Sequence, residues 1–243
     1  MNMREQAVSN EQKLSVPMIF FLGLAPGLVM LLLIFILSSP IFGINFPIFI
    51  SVFLSFVIGH IPIDLGILKF FAWKENKKIK DLILFRNKTP LKKMIPAIII
   101  PLILAIIAFG FIKPIELKFW ESFVSLPDLF RIEDTNFREM KYLKLTVIMF
   151  FIFDTSLGPI VEEIYFRGFL LPRMGVFGKF APLVNSVIFS VYHFFSPRQN
   201  ITRIIGVTPM AYSVWRNKDI KIGAITHCSL NFIGDLGLVM VVF

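Results

Sequence analysis

LKLTVIMFFIFDTSLGPIVEEIYFRGFLL, residues 143–171, is long and apolar enough to cross a bilayer, yet it carries Glu162, Glu163 and Arg167 in its second half. A spanning helix takes roughly 20 apolar residues. An ionisable side chain at membrane depth costs on the order of 3 kcal/mol on insertion scales, so such a cluster calls for partners, enclosed water or a chemical task. Working outward, comparable apolar runs bounded by charge or by Pro/Gly clusters fall at 17–38, 44–68, 94–112, 179–196, 200–215 and 220–243. With 143–171 they make seven candidate spans. The run at 200–215 is the shortest and contains Pro209, so it is expected to be broken or partly re-entrant. The whole chain of 243 residues is 56% hydrophobic, has 29 phenylalanines and a mean hydropathy of +0.77, which excludes an ordinary soluble domain. The expectation is an all-α fold, a polytopic transmembrane bundle of seven or eight helices. It divides into residues 1–142, with three spans and an extracytoplasmic segment, and residues 143–243, with four spans.

Orientation follows from the basic residues, which accumulate on the cytoplasmic side of a membrane. Between the second and third runs stand Lys69, Lys74, Lys77, Lys78, Lys80, Arg86, Lys88, Lys92 and Lys93 against only Glu75 and Asp81. That loop is expected in the cytoplasm. Counting spans from it also places the N-terminus and the turns near Arg173/Lys179 and Arg216/Lys218/Lys221 inside, and the 113–142 segment, whose charges nearly cancel, outside. The net charge of +9 is then a topology signal that also meets anionic lipid, with no nucleic-acid partner implied. The N-terminal run lacks a small-residue cleavage pattern and is expected to be a retained span. The single cysteine, Cys228, excludes an internal disulfide and a thiolate metal cage.

Most residues able to carry chemistry lie late in the chain. Residues four apart on a helix share a face, so Glu163 is expected to pair with Arg167 while Glu162 points elsewhere and stays free. A paired carboxylate fixes geometry; a free one in a poorly solvated site suits proton transfer. His227 and Asn231, also four apart, present an imidazole and a carboxamide from one face, donors suited to a developing oxyanion. His193 is expected within the fifth span. At ~1.5 Å per residue, Glu162, His193, His227 and Asn231 all fall about 10–20 Å below the cytoplasmic turns, so they can meet.

These residues stand in three motifs. Glu162-Glu163-Ile164-Tyr165-Phe166-Arg167-Gly168 resembles the EExxxRG motif of the CAAX protease and bacteriocin-processing family, which includes the type II CAAX prenyl endopeptidases. Phe189-Ser190-Val191-Tyr192-His193 is similar to its FxxxH motif, and His227-Cys228-Ser229-Leu230-Asn231 to its HxxxN motif. The resemblance covers about residues 143–235; the preceding part looks like generic membrane helices. It implies an intramembrane endopeptidase whose glutamate-activated water attacks a peptide carbonyl. In that carry-over Glu162 and His193 activate the water, His227 and Asn231 hold the oxyanion, and Glu163 and Arg167 brace the site. The implied substrates are membrane-embedded proteins or peptides, prenylated CAAX tails or bacteriocin-related. The implied setting is a bacterial cytoplasmic membrane, with the cavity opening toward the cytoplasm.

Other readings stand beside this one. Glu162, Glu163 and Arg167 alone would also make a structural ion-pair cluster. A glutamate with two histidines is a plausible zinc set, although the paired histidines of an HExxH helix are absent, and metal-independent chemistry is favoured. His60 and Asp64, split by Pro62, read as a helix break near the cytoplasmic face rather than as substrate-path residues. Asp154 is expected to bond Asn185 or Ser186, and Cys228 has no base that would make it a nucleophile. A transporter would show an inverted repeat, which is not seen; a non-catalytic membrane partner in bacteriocin self-immunity or signalling control remains the alternative function.

Overall fold

The computed structural model describes residues 13–130 and 143–242. The fold is all-α: no strand occurs among the described residues, and the backbone outside the helices forms one isolated bridge, between Arg86 and Asp219. Seven main helices follow in order: α1 Val16–Ser38, α2 Ile48–Lys74, α3 Leu91–Phe123, α4 at residues 143–173, α5 Ala181–Val191, α6 Asn200–Asn217 and α7 Ile220–Val242. The first three are long and apolar enough to cross a membrane, and large apolar side chains such as Phe21, Leu32, Phe111 and Ile115 face outward from them. In lipid that surface needs no cover, while helices satisfy every backbone group internally. The protein is an integral membrane protein.

The helix ends differ from the apolar runs. Helix α2 continues through Lys69 to Lys74, and α3 continues past Ile112 to Phe123. The reason for the second extension is Glu116, which is buried and accepts hydrogen bonds from Ile201 N (2.8 Å), Thr202 N (2.8 Å) and Thr202 Oγ1 (2.7 Å). It satisfies the otherwise unpaired amides that begin α6 and places a negative charge at that helix's positive end. Residues 113–123, expected in an external segment, are therefore part of the bundle. The remainder of that segment at 131–142, and the N-terminal residues 1–12, lie outside the described residues. Helix α6 is continuous, with Pro209 inside it, where a break was expected.

Four stretches are widened to π-helical pitch: Phe56–His60, Ala108–Ile112, Phe153–Leu157 and Glu163–Leu170. Each is followed two residues later by a proline: Pro62, Pro114, Pro159 or Pro172. In each the residue before the proline donates its N–H to a carbonyl five positions back, as Gly158 does to Phe153 and Leu171 to Phe166. Proline has no N–H to continue the ladder and its ring crowds the carbonyl four residues earlier, and a widened turn relieves both. The relation runs one way, since Pro26, Pro96, Pro101 and Pro209 sit inside helices of ordinary pitch.

The two ends of the bundle are built differently. At the end carrying the lysine-rich loop, the chain after α2 folds back and docks on the helices. Leu84 N bonds Gly168 O (3.1 Å), Ile220 N bonds Phe85 O (3.0 Å) and Asn87 N bonds Lys218 O (2.8 Å). Arg173 Nη1 donates to Leu82 O (3.0 Å), and buried Asp219 accepts from Thr89 N (3.1 Å). Leu82, Ile83 and Phe85 are thereby buried in one core with Phe166, Phe169, Leu170, Met174 and Ile222. That end is stoppered.

Candidate active site

Glu162 and Glu163 sit in α4 where the α-helical turn Gly158–Glu162 meets the widened Glu163–Leu170 segment. Both carboxylates are buried, and they face different partners. Glu163 Oε1 lies 3.0 Å from Arg167 Nη1, as their spacing predicts, and 3.1 Å from His227 Nδ1 on α7. The Arg167 guanidinium is fully buried, 4.0 Å from the ring centroid of Phe189 on α5. Gly223 makes room for this cluster: a Cβ there would fall on Glu163 Oε2.

Glu162 is not free. The Tyr192 hydroxyl donates to its Oε1, and three imidazoles surround it: His227 Nε2 at 3.7 Å, His60 Nε2 at 3.8 Å and His193 Nε2 at 4.0 Å. Helical spacing within α4 could not show these contacts, because every one of them comes from another segment of the chain: His60 from α2, His227 from α7, and Tyr192 and His193 from the turn after α5.

His193 does not lie inside the fifth helix as expected. Helix α5 stops at Val191, and His193 stands in the turn that follows, with its N–H on Ser190 O (3.3 Å) and its carbonyl accepting from Ser196 N (2.9 Å). Arg203 of α6 holds that turn, donating to Ser196 Oγ (2.7 Å), Ser190 O (3.3 Å) and Asn200 Oδ1 (3.2 Å). Helix α1 presses on it from the other side at Gly27, where any Cβ would strike the Tyr192 carbonyl. His193 Nδ1 is 2.8 Å from Phe189 O. A carbonyl only accepts, so Nδ1 carries the hydrogen and Nε2, the nitrogen facing Glu162, presents a lone pair when the ring is neutral. The Glu163 contact orients His227 the same way, with Nε2 toward Glu162.

His60 is the residue that the sequence reading set aside. It closes the widened Phe56–His60 segment midway along the unbroken helix α2, where a helix break near the cytoplasmic face was expected, and the pair it forms with Asp64 (Nε2 to Oδ2, 3.4 Å) is buried, with the His60 ring beside Glu162 and stacked on Tyr192. The available signal was the one that singled out Glu162, ionisable residues at membrane depth.

Asn231 Nδ2 donates to the backbone carbonyl of Asp154 (2.9 Å), tying α7 to α4. The Asp154 side chain lies beside Asp235 and Asn231 of α7, where a bond to Asn185 or Ser186 had been considered. Asn185 Nδ2 bonds Phe166 O (3.0 Å) and Ser186 Oγ bonds Pro182 O (2.9 Å), both structural. Cys228 is a free, half-buried thiol. Among the described residues, no group of three or more His, Cys, Asp or Glu side chains is disposed to hold a metal ion.

Glu162, His193, His227 and Asn231 share a cavity of about 590 Å³, walled by aromatic residues such as Phe53, Phe153 and Phe195 and by the charged Lys113, Asp154, Arg203 and Asp235. It lies away from the lysine-rich loop. Its walls come from the start of α2 (49–56), the middle of α3 (106–113), of α4 (150–162) and of α7 (227–235), the turn after α5 and the start of α6. The docked stretch of residues 82–85 packs on the other end of these helices.

Residues 144–233 match the family described as type II CAAX prenyl endopeptidase Rce1-like. The C-terminal segment is similar to that family. It contains Glu162, Glu163, Arg167, His193, His227 and Asn231, whereas His60 and Asp64 lie outside it. A curated relative, the uncharacterized protein YyaK of Bacillus subtilis (strain 168), is 31% identical over 127 residues, covering 49% of this chain and 41% of the relative. The chain thus matches less than half the length of that relative. No solved structure gives a significant match. In the matched segment the three motifs converge on one carboxylate, and α1 and α2, outside it, complete the enclosure.

Proposed function

We propose that this protein is an intramembrane endopeptidase of the type II CAAX prenyl endopeptidase kind, hydrolysing membrane-associated peptide substrates in a bacterial cytoplasmic membrane with Glu162 as the general base. The observation that carries this reading is the convergence of Tyr192, His60, His193 and His227 on Glu162 at the wall of a cavity. A gap of 4.0 Å between His193 Nε2 and Glu162 Oε1 can be bridged by a water that donates to both. Held there, the water loses a proton to Glu162 as its oxygen attacks the peptide carbonyl, and Glu162 then delivers that proton to the departing amine. His227, anchored by Glu163 and Arg167, lies across the carboxylate from His193 and donates to the developing oxyanion when protonated. Asn231 has a second amide hydrogen for the same oxygen while its first holds the Asp154 carbonyl. Preorganised donors of this kind act strongly where water is scarce.

The chemistry is proposed as metal-independent, and a zinc ion held by Glu162 and the histidines is the rival that a chelator distinguishes. The test is cleavage of a prenylated CAAX reporter and of a membrane-proteome panel by the purified, lipid-reconstituted protein beside Glu162→Ala, with and without chelator. Chelator-resistant cleavage lost in the variant supports the reading. Loss on chelation overturns its metal-free part. A folded sample that cuts nothing points to a non-catalytic membrane partner.

A further inference from the structure

Two ionisable side chains beside Glu162, His60 and Asp64 of α2, belong to none of the three motifs and lie outside the matched segment. Both are fully enclosed, and neither the ring nitrogens of His60 nor the carboxyl oxygens of Asp64 have a hydrogen-bond partner among the described residues. Burying such groups without partners is costly, and apolar side chains of similar volume would pack there without that cost. The fold nevertheless holds them in one place. The widened turn Phe56–His60 presses on α1 at Gly59, where a Cβ would fall on the Leu33 side chain, and on α4 at Gly158, where a Cβ would meet the Phe56 ring. The His60 ring packs against the rings of Phe56 (centroids 4.9 Å apart) and Tyr192 (5.3 Å). Its Nε2 stands 3.4 Å from Asp64 Oδ2 and 3.8 Å from Glu162 Oε1. An N–H···O bond closes at about 2.7–3.2 Å, so this nitrogen is bonded to neither carboxyl group and lies within a small displacement of both. Neither His60 nor Asp64 lines the cavity, whereas Glu162 and Tyr192 do. The pair can act on a substrate only through Glu162.

We infer that His60 and Asp64 form a positioning pair for Glu162, in which the hydrogen on His60 Nε2 passes between two acceptors as the charge on Glu162 changes. This rests on the reading of Glu162 as the general base and deepens it. While Glu162 is a carboxylate, His60 Nε2–H turns to its Oε1, beside the Tyr192 hydroxyl, and the two donors fix the direction of the remaining lone pairs. Once Glu162 has taken a proton from the attacking water it is a poorer acceptor, and the same N–H turns to Asp64. When Glu162 hands the proton to the departing amine, the hydrogen bond returns. The exchange moves a hydrogen bond and no proton, so the proton taken from water is the one that reaches the amine. Asp64 contributes by offering the second acceptor, and it acts on Glu162 only by way of the His60 ring.

The test compares the lipid-reconstituted full chain with His60→Phe, Asp64→Asn and the double variant, by kcat and KM on the cleaved reporter and by infrared spectroscopy of the same samples. The Glu162 carboxyl band is the difference between the native chain and Glu162→Gln. His60→Phe keeps a ring against Phe56 and Tyr192 but removes the ring nitrogen, and Asp64→Asn keeps the shape of the side chain but removes its charge. Each is expected to lower kcat roughly tenfold with KM unchanged. The double variant is expected to fall no further than the single ones, because the two residues act as one unit. The Glu162 band is expected to shift in all three. His60→Gln and Asp64→Leu replace any variant that does not fold. Native kcat in His60→Phe makes the ring a packing element, and losses that multiply in the double variant make the two residues independent; either result overturns the inference and leaves Glu162 as the base. A Glu162 band unmoved by Asp64→Asn also overturns it. The infrared measurement needs no cleavage, so a folded native chain that cuts nothing removes the base assignment while the band still decides whether the pair positions Glu162.

Discussion

The first three helices and the last four have different tasks and are built from different chemistry. Helices α1 to α3 are long and mostly apolar, and turn many large side chains outward. Helices α4 to α7 bury Glu162, Glu163, Arg167, Arg203 and His227, and α5 is cut short to let the chain turn at His193. The polar half cannot enclose its own carboxylate. It borrows Gly27 of α1, whose missing side chain admits the Tyr192 carbonyl, the Leu22 carbonyl, which accepts from Tyr165 Oη (2.8 Å), and His60 with Asp64 of α2. An apolar scaffold that contributes a few polar contacts, placed at helix breaks and glycines, keeps the cost of buried charge local.

That division can be broken at several points. Glu162→Gln keeps the shape and hydrogen-bonding capacity of the side chain but removes the base, and is expected to lower kcat by about 10³-fold or more with little change in folding, read by reporter cleavage and thermal unfolding of the same sample. Arg167→Ala leaves Glu163 buried without its cation, and is expected to destabilise by roughly 3–5 kcal/mol, measured as unfolding in detergent. If Arg167→Ala unfolds like the native chain, the bracing role assigned to this pair is wrong. Gly27→Val tests the dependence of one half on the other. Its branched side chain meets the Tyr192 backbone, so a loss of about 1–3 kcal/mol is expected together with reduced cleavage, although α1 carries none of the three motifs.

His60→Gln is a finer cut. With the ring gone, Glu162 keeps Tyr192, His193 and His227 but loses a neighbour and the stack on Tyr192, so kcat is expected to fall roughly tenfold, about 1.4 kcal/mol, with KM unchanged. A KM effect alone would make His60 a wall residue. The smallest effect belongs to the basic face: Glu75→Gln breaks the exposed Lys77–Glu75 pair (3.0 Å) and should change stability by less than about 1 kcal/mol.

How much could be read in advance varies with the range of the interaction. The pairing of Glu163 with Arg167 was legible because both sit on one helix. The end of α5 before His193 was not: a run of apolar residues continues to Phe195, and the helix stops because Arg203 of α6 captures Ser190 and Ser196. The extension of α3 to Phe123 was equally hidden, since Glu116 looks like a loop charge until the amides of Ile201 and Thr202 are seen on it.

By itself the sequence determined that this is a helical membrane protein, where its ionisable residues stand within each helix, and which end is most basic. Those properties depend on composition, on helical periodicity and on charge counting, all of them local. Only the tertiary structure decided that Glu162 is surrounded rather than free, that His60, paired with Asp64, reaches it from α2, and that the cavity lies away from the docked lysine-rich loop. Each depends on which helices touch and where a loop docks, and packing between segments far apart in the chain leaves no periodic trace in either of them.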